Sequence, residues 1–137
     1  MLELAGINYW AVLIAWLLYM VVGAWWYSTA GFARAWTKYT KIDILKIPTQ
    51  QANKIIAAVA VSSLVQAFTL ALVLNSLDVA TVAEGMVAGL VLWFGLVAAT
   101  TVGVTLYSKR AWGFLWLNSA YFLVVMSIGS VIFAVWQ

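Results

Sequence analysis

The hydrophobic residues of this chain fall in long runs, not in alternation. Residues 7–27, 55–77, 82–107 and 112–135 are apolar almost throughout, and polar residues collect between them. A bilayer core takes about 20 such residues as helix. In hydrocarbon every backbone N–H and C=O needs an internal partner, so a spanning segment is a helix or a strand of a closed barrel. Runs this long lack the alternation of barrel strands. The pattern predicts an all-α membrane protein, with residues 1–137 as one domain. Four transmembrane helices form a bundle, and residues 28–54 form an amphipathic loop. The first run follows Glu3 and is longer than a signal-peptide core, so it is expected to stay as a span.

Composition agrees and narrows the chemistry. Of 137 residues, 66% are hydrophobic and 8% charged, against about 25% charged in soluble domains. The chain has no His and no Cys. A cysteine nucleophile, a histidine base, and thiolate or imidazole metal sites are therefore excluded. Without paired carboxylates at one depth, acid–base chemistry lacks its parts. The expectation is no enzyme, no cofactor, no metal and no nucleic-acid partner.

Charge sets the orientation. Arg34, Lys38, Lys41, Lys46 and Lys54 lie between spans one and two, and Lys109 and Arg110 between spans three and four. These are all seven basic residues of the chain, and the two loops face the same side. Glu3, Asp78 and Glu84 lie on the other. The positive-inside rule makes the basic loops cytoplasmic and puts both termini outside, in the inner membrane if the cell is a bacterium. Tyr9, Trp10 and Trp136 then fall at the outer interface, and Trp25, Trp26, Tyr27, Tyr107 and Trp112 at the inner one. Trp16 and Trp93 sit deeper, as packing residues.

Within the first loop, Phe32, Ala35, Trp36, Tyr39 and Ile42 share one helical face, with Arg34, Lys38 and Lys41 opposite. Residues 31–47 are read as an interfacial helix that anchors on the bilayer and its anionic lipid head groups. Pro48 ends it and Thr49 caps span two. Thr81 and Glu84 have the spacing of a capping box at the start of span three. That role accounts for Glu84, the one carboxylate near a span interior, without proton coupling.

The spans also hold polar residues. Ser62, Gln66 and Thr69 recur at helical spacing, with Gln66 about 18 Å along the helix from Lys54. Thr100, Thr101 and Thr105 follow in span three, then Asn118, Ser119, Ser127 and Ser130 in span four. Ser62, Gln66, Thr101, Thr105, Asn118 and Ser119 are the candidate cluster. They either hydrogen-bond between helices or line a cytoplasm-facing pocket. Gly85 and Gly89 form a GxxxG pair that serves the bundle or a homo-oligomer. A V-G-x-x-x-Y-S pattern occurs at 22–28 and again at 102–108, through duplication or through shared interface chemistry.

The opening Ile7-Asn8-Tyr9-Trp10-Ala11-Val12-Leu13 is followed by Trp26-Tyr27-Ser28, Phe32 and Trp36. Together with Ala98-Ala99-Thr100-Thr101 and Asn118-Ser119-Ala120-Tyr121, these resemble a family of small bacterial membrane proteins catalogued as domain of unknown function 1761. Members of that family usually carry a Pro after the W-Y-S, where Thr29 stands here. The resemblance implies a four-span protein and supplies no reaction. It marks Asn8, Trp26, Tyr27, Trp36, Thr100, Thr101 and Asn118 as positions without assigned roles. The expected role is an oligomeric or accessory membrane module, in a homo-oligomer or larger complex, that binds lipid or a hydrophobic partner. The alternative is a small-solute facilitator using the polar cluster.

Overall fold

Local chemistry decides where each span begins. A computed structural model describes residues 1–136, and all regular structure among them is helical. Asn8 opens α1 (Tyr9–Trp26), its side-chain oxygen accepting from the N–H groups of Trp10 and Ala11 at 3.1 and 3.2 Å. A first turn leaves such groups without intrahelical partners. α4 (Val82–Leu92) opens with the expected capping box. The Thr81 hydroxyl accepts from the Glu84 N–H at 3.2 Å, and the Glu84 carboxylate accepts from the Thr81 and Ala80 N–H groups at 3.1 and 3.0 Å.

The stretch between spans one and two departs from expectation. α2 covers only Ala33–Thr40, because Lys41 adopts a left-handed conformation at φ 63° and stops it. Ile44–Lys46 adds one 3₁₀ turn capped by Asp43. α3 runs Thr49–Ser76, starting before residue 55. Pro48 is its N-cap, and Thr49 is its first helical residue and makes no side-chain cap. Thr49 to Lys54 are polar but compatible with helix, so hydropathy marks where the apolar part starts while proline marks where the helix starts. With 28 residues, α3 is about 42 Å long and exceeds the roughly 30 Å hydrocarbon core.

Span three is interrupted. Between α4 and α5 (Ala99–Tyr107), Trp93–Ala98 is π-helical. A regular helix turns about 100° per residue, so Gly89 and Thr101 would lie about 120° apart around it. A π turn absorbs one extra residue and reduces that offset to about 20°. The interruption therefore keeps one face turned inward: Gly85 and Gly89 are the buried residues of α4, and Thr101 and Thr105 those of α5.

That face meets α6 (Trp112–Val135), the helix the bundle is built around. α1, α3, α4 and α5 all pack on α6, α1 also packs on α3, and α2 lies against the loop-side start of α6. The most apolar stretch of α6 is 44% buried and that of span three only 6%, so α6 is the spine and span three its outermost neighbour. Ala11, Ala15 and Tyr19 of α1 meet Ala67, Leu70 and Leu74 of α3 and Val125, Met126 and Phe133 of α6 in the core. Glycines set the closest approaches. A Cβ on Gly85 would lie 2.9 Å from the Ser130 carbonyl oxygen, and one on Gly89 would strike the Ser130 hydroxyl. One on Gly129 would strike the Tyr19 hydroxyl. The GxxxG pair thus faces the internal bundle.

The two ends differ. At the loop end, the Arg110 guanidinium donates to the Thr40 carbonyl at 3.4 Å and joins both basic loops. At the terminal end, the Asn75 amide donates to the Glu3 and Ala5 carbonyls, both at 3.0 Å, and the Ser76 hydroxyl accepts from the Glu3 N–H at 2.8 Å. All four spans are long and apolar enough to cross a membrane.

These contacts make a prediction. Gly85→Val and Gly89→Val should each lower stability by about 1–3 kcal/mol through overpacking. Gly103→Ala has nothing within 4 Å of the added carbon and should be neutral or stabilising by up to about 1 kcal/mol. Unfolding in graded denaturing detergent reads the difference; a neutral Gly89→Val would contradict the packing.

Candidate functional site

After α1 the chain turns back sharply, with the Phe32 N–H donating to the Trp26 carbonyl at 2.7 Å. A side chain at Gly31 would strike the Trp25 carbonyl, so glycine suits the turn. The turn lays the Phe32 ring 4.6 Å from Trp26 and 5.8 Å from Trp25. Tyr121 of α6 is the hub on the other side. It lies 5.9 Å from Trp26 and 5.7 Å from Tyr27, and its hydroxyl donates to the Tyr19 carbonyl at 3.3 Å. Tyr27 meets Trp36 edge-on at 6.5 Å, and its hydroxyl donates to the Asn118 amide oxygen at 3.3 Å. Gly23 leaves room for the Tyr121 hydroxyl.

Four of the family-motif positions, Trp26, Tyr27, Trp36 and Asn118, therefore meet in one aromatic–amide cluster at the loop end. Offset and edge-to-face ring pairs each contribute about 0.5–1.5 kcal/mol beyond burial. The other motif positions do local work. Asn8 caps α1 at the opposite end. Thr100 faces outward and donates to the Leu96 carbonyl at 2.6 Å, while Thr101 is buried and donates to the Val97 carbonyl at 2.7 Å.

Among the described residues, no hydrogen bond links any two of the six polar candidates. Ser62 is exposed and donates to the Val59 carbonyl of its own helix at 3.0 Å. Gln66 is half-buried, and its amide has no partner among the described residues. Thr105 and Ser119 are buried with hydroxyls that lack a partner. The Ser119 carbonyl instead accepts from the Trp93 indole N–H at 2.7 Å, and the Ala60 carbonyl accepts from the Trp16 indole at 2.8 Å. The two deep tryptophans thus cross-link neighbouring spans. The residues that sequence reasoning passed over are Tyr19, Gly113 and Gly129. Tyr19 is fully buried, in the Ala11–Ala15 stripe at four-residue spacing, which was its one visible signal. Gly113 seats the Tyr39 ring and so docks α2 on α6.

The basic residues divide into groups. Lys46 pairs with Asp43 at 3.5 Å, and Arg34 and Lys54 stand exposed. Lys38, Lys41, Lys109 and Arg110 line one open cleft of about 630 Å³ between α2 and the turn before α6. The two V-G-x-x-x-Y-S copies also diverge. Gly23 and Tyr27 are packed against Tyr121, whereas Gly103 meets nothing within 4 Å and Tyr107 is 94% exposed.

A family model described as a protein of unknown function (DUF1761) matches residues 10–134. No curated protein and no solved structure matches the chain.

The indole contacts are measurable. Trp16→Phe and Trp93→Phe should each lower stability, by about 0.6 kcal/mol for the lost bond and more for lost packing. Asn118→Leu should lower it by a similar amount through Tyr27. Gln66→Leu, which breaks no bond, should change little. Destabilisation by Gln66→Leu alone would overturn this ranking.

Proposed function

The chain belongs to the DUF1761 family, and from that premise we propose that it is a non-enzymatic membrane module that associates with lipid or with a hydrophobic membrane partner. The observation that carries the reading is where the polar groups go. Thr100, Thr101, Ser62 and Ser63 spend their hydroxyls on carbonyls of their own helices. The outward faces are apolar instead, with Val91, Phe94 and Leu96 of span three between 66% and 68% exposed. A surface of this kind suits acyl chains, a second copy or another membrane helix.

In this reading the aromatic–amide cluster fixes the loop end and the basic loops face the cytoplasm. The termini lie outside, in a bacterial inner membrane. A solute facilitator would need in-span polar groups turned toward a shared path; Ser62, Ser63, Thr100 and Thr101 are turned to their own helices, which leaves Gln66, Thr105 and Ser119 as the groups such a path would use.

Native mass spectrometry from membranes tests the proposal. The expected spectrum carries retained lipid together with a discrete oligomer or partner chain. Solute flux in reconstituted liposomes that is lost in Gln66→Leu and Asn118→Leu, with folding intact, would favour the facilitator instead. A cysteine at residue 2 should label from outside intact cells; labelling only after permeabilisation would reverse the topology.

A further inference from the structure

Four basic residues and no acidic residue line the cleft at the loop end. Lys38 and Lys41 come from the end of α2, and Lys109 and Arg110 from the turn before α6. Among the described residues the one ion pair is Lys46 with Asp43, outside this cleft. Like charges drawn together repel, so a group of four needs an anion or open water between them. The fold holds them together nonetheless. Lys41 and Lys109 both sit at left-handed turns, at φ 63° and 52°. Arg110 is fixed by the Thr40 carbonyl and by the Phe114 ring, 5.2 Å from its guanidinium carbon. The Tyr39 ring seats on Gly113 and locks α2 beside α6. The docking of α2 thus brings together cations from two separate loops.

The rest of the cleft has the same polarity. Tyr39 and Ser108 also line it. α6 begins there with no side-chain cap on its N-terminus, since Ala111 occupies the N-cap position. The positive end of a 24-residue helix adds to the field of the four cations. A guanidinium held in place and mobile ammonium groups are the recognition set for a phosphate oxyanion.

We infer that this cleft is a binding site for a phosphate group, formed jointly by α2 and the α5–α6 turn and distinct from diffuse attraction of the basic loops to the membrane. The inference rests on the lipid-module reading for its favoured source, the phosphate of an anionic phospholipid head group. The cleft opens at the end of the spans, where head groups lie. A soluble phosphate has the same recognition chemistry.

The test uses the full chain in nanodiscs and two variants with charges removed in different places. One is Lys38→Gln/Lys41→Asn/Lys109→Asn, in which asparagine tolerates the left-handed turns and Arg110 keeps its structural contacts. The other is Lys46→Gln/Lys54→Gln, which removes basic residues outside the cleft. Retention of phosphatidylglycerol over phosphatidylcholine is read by native mass spectrometry, and binding of inorganic phosphate by calorimetry. The cleft variant should lose at least about tenfold in phosphatidylglycerol retention, and the control less than about twofold. Lys38→Arg should bind like the unaltered chain. Calorimetric binding of inorganic phosphate that the cleft variant abolishes would also support the site and assign it to a soluble phosphate. Equal losses in both variants, or no loss in either, in both lipid retention and phosphate calorimetry would overturn it. Lipid retention that persists in every variant, with no calorimetric phosphate binding, would overturn the cleft while leaving the membrane-module reading standing. Unchanged helicity and detergent melting of the cleft variant separate loss of binding from loss of fold.

Discussion

Lipid gives helices no hydrophobic reason to associate, because acyl chains are as apolar as the side chains they would replace. The spans of this protein therefore need close contact and hydrogen bonds between them to remain a bundle. α6 supplies both. Its Ser130 lies against Gly85 and Gly89 of span three, and its Gly129 lies against the Tyr19 hydroxyl of α1. Its Ser119 carbonyl accepts the Trp93 indole N–H. Two helices meet closely only where one offers glycine or a small side chain, and α6 and its neighbours place those residues in register. The π segment of span three follows from the same need, since it restores to α5 the inward face that α4 had established.

The loop end depends on that spine as well. Tyr121, Asn118 and Gly113 all lie on the loop-side half of α6, where they receive Trp26 and Tyr27, then Tyr39 of α2. A change in how α1 packs on α6 would reach Tyr27 through its bond to Asn118. It would also reach the position of α2 through the rings around Trp36. The aromatic cluster, the Tyr39–Gly113 contact and the Arg110–Thr40 bond together tie the cationic loops to the packing of the spans.

The sequence revealed the spans because hydropathy over 20 residues reports the bilayer directly. It revealed the capping box because Thr81 and Glu84 have a spacing with a single geometric meaning. Family likeness pointed to Trp26, Tyr27, Trp36 and Asn118, but their meeting around Tyr121 was not legible, because a contact over 91 or more residues of chain, as between Tyr27 and Asn118, has no local periodicity. The π segment was hidden too, since Trp93–Ala98 is as apolar as an ordinary helix. The six polar residues looked like one group because depth along a helix can be counted from sequence. Which way each one faces depends on how the helices pack, and in span three also on the π turn that shifts the phase of Thr101 and Thr105; Ser62 and Thr105 lie on an exposed and a buried face respectively.

Thr105 and Ser119 are buried in helix contacts with hydroxyls that have no partner, and the membrane-module proposal requires that water does not reach them. The chain has no cysteine, so single cysteines can be introduced without background. Ser119→Cys, Thr105→Cys and Ser108→Cys would be exposed in intact membranes to a membrane-impermeant maleimide applied from each side. The account predicts rapid labelling at position 108 and none at 105 or 119 from either side. Labelling at 105 or 119 at a rate within about tenfold of that at 108 would contradict it, because water would then reach the interior of the bundle.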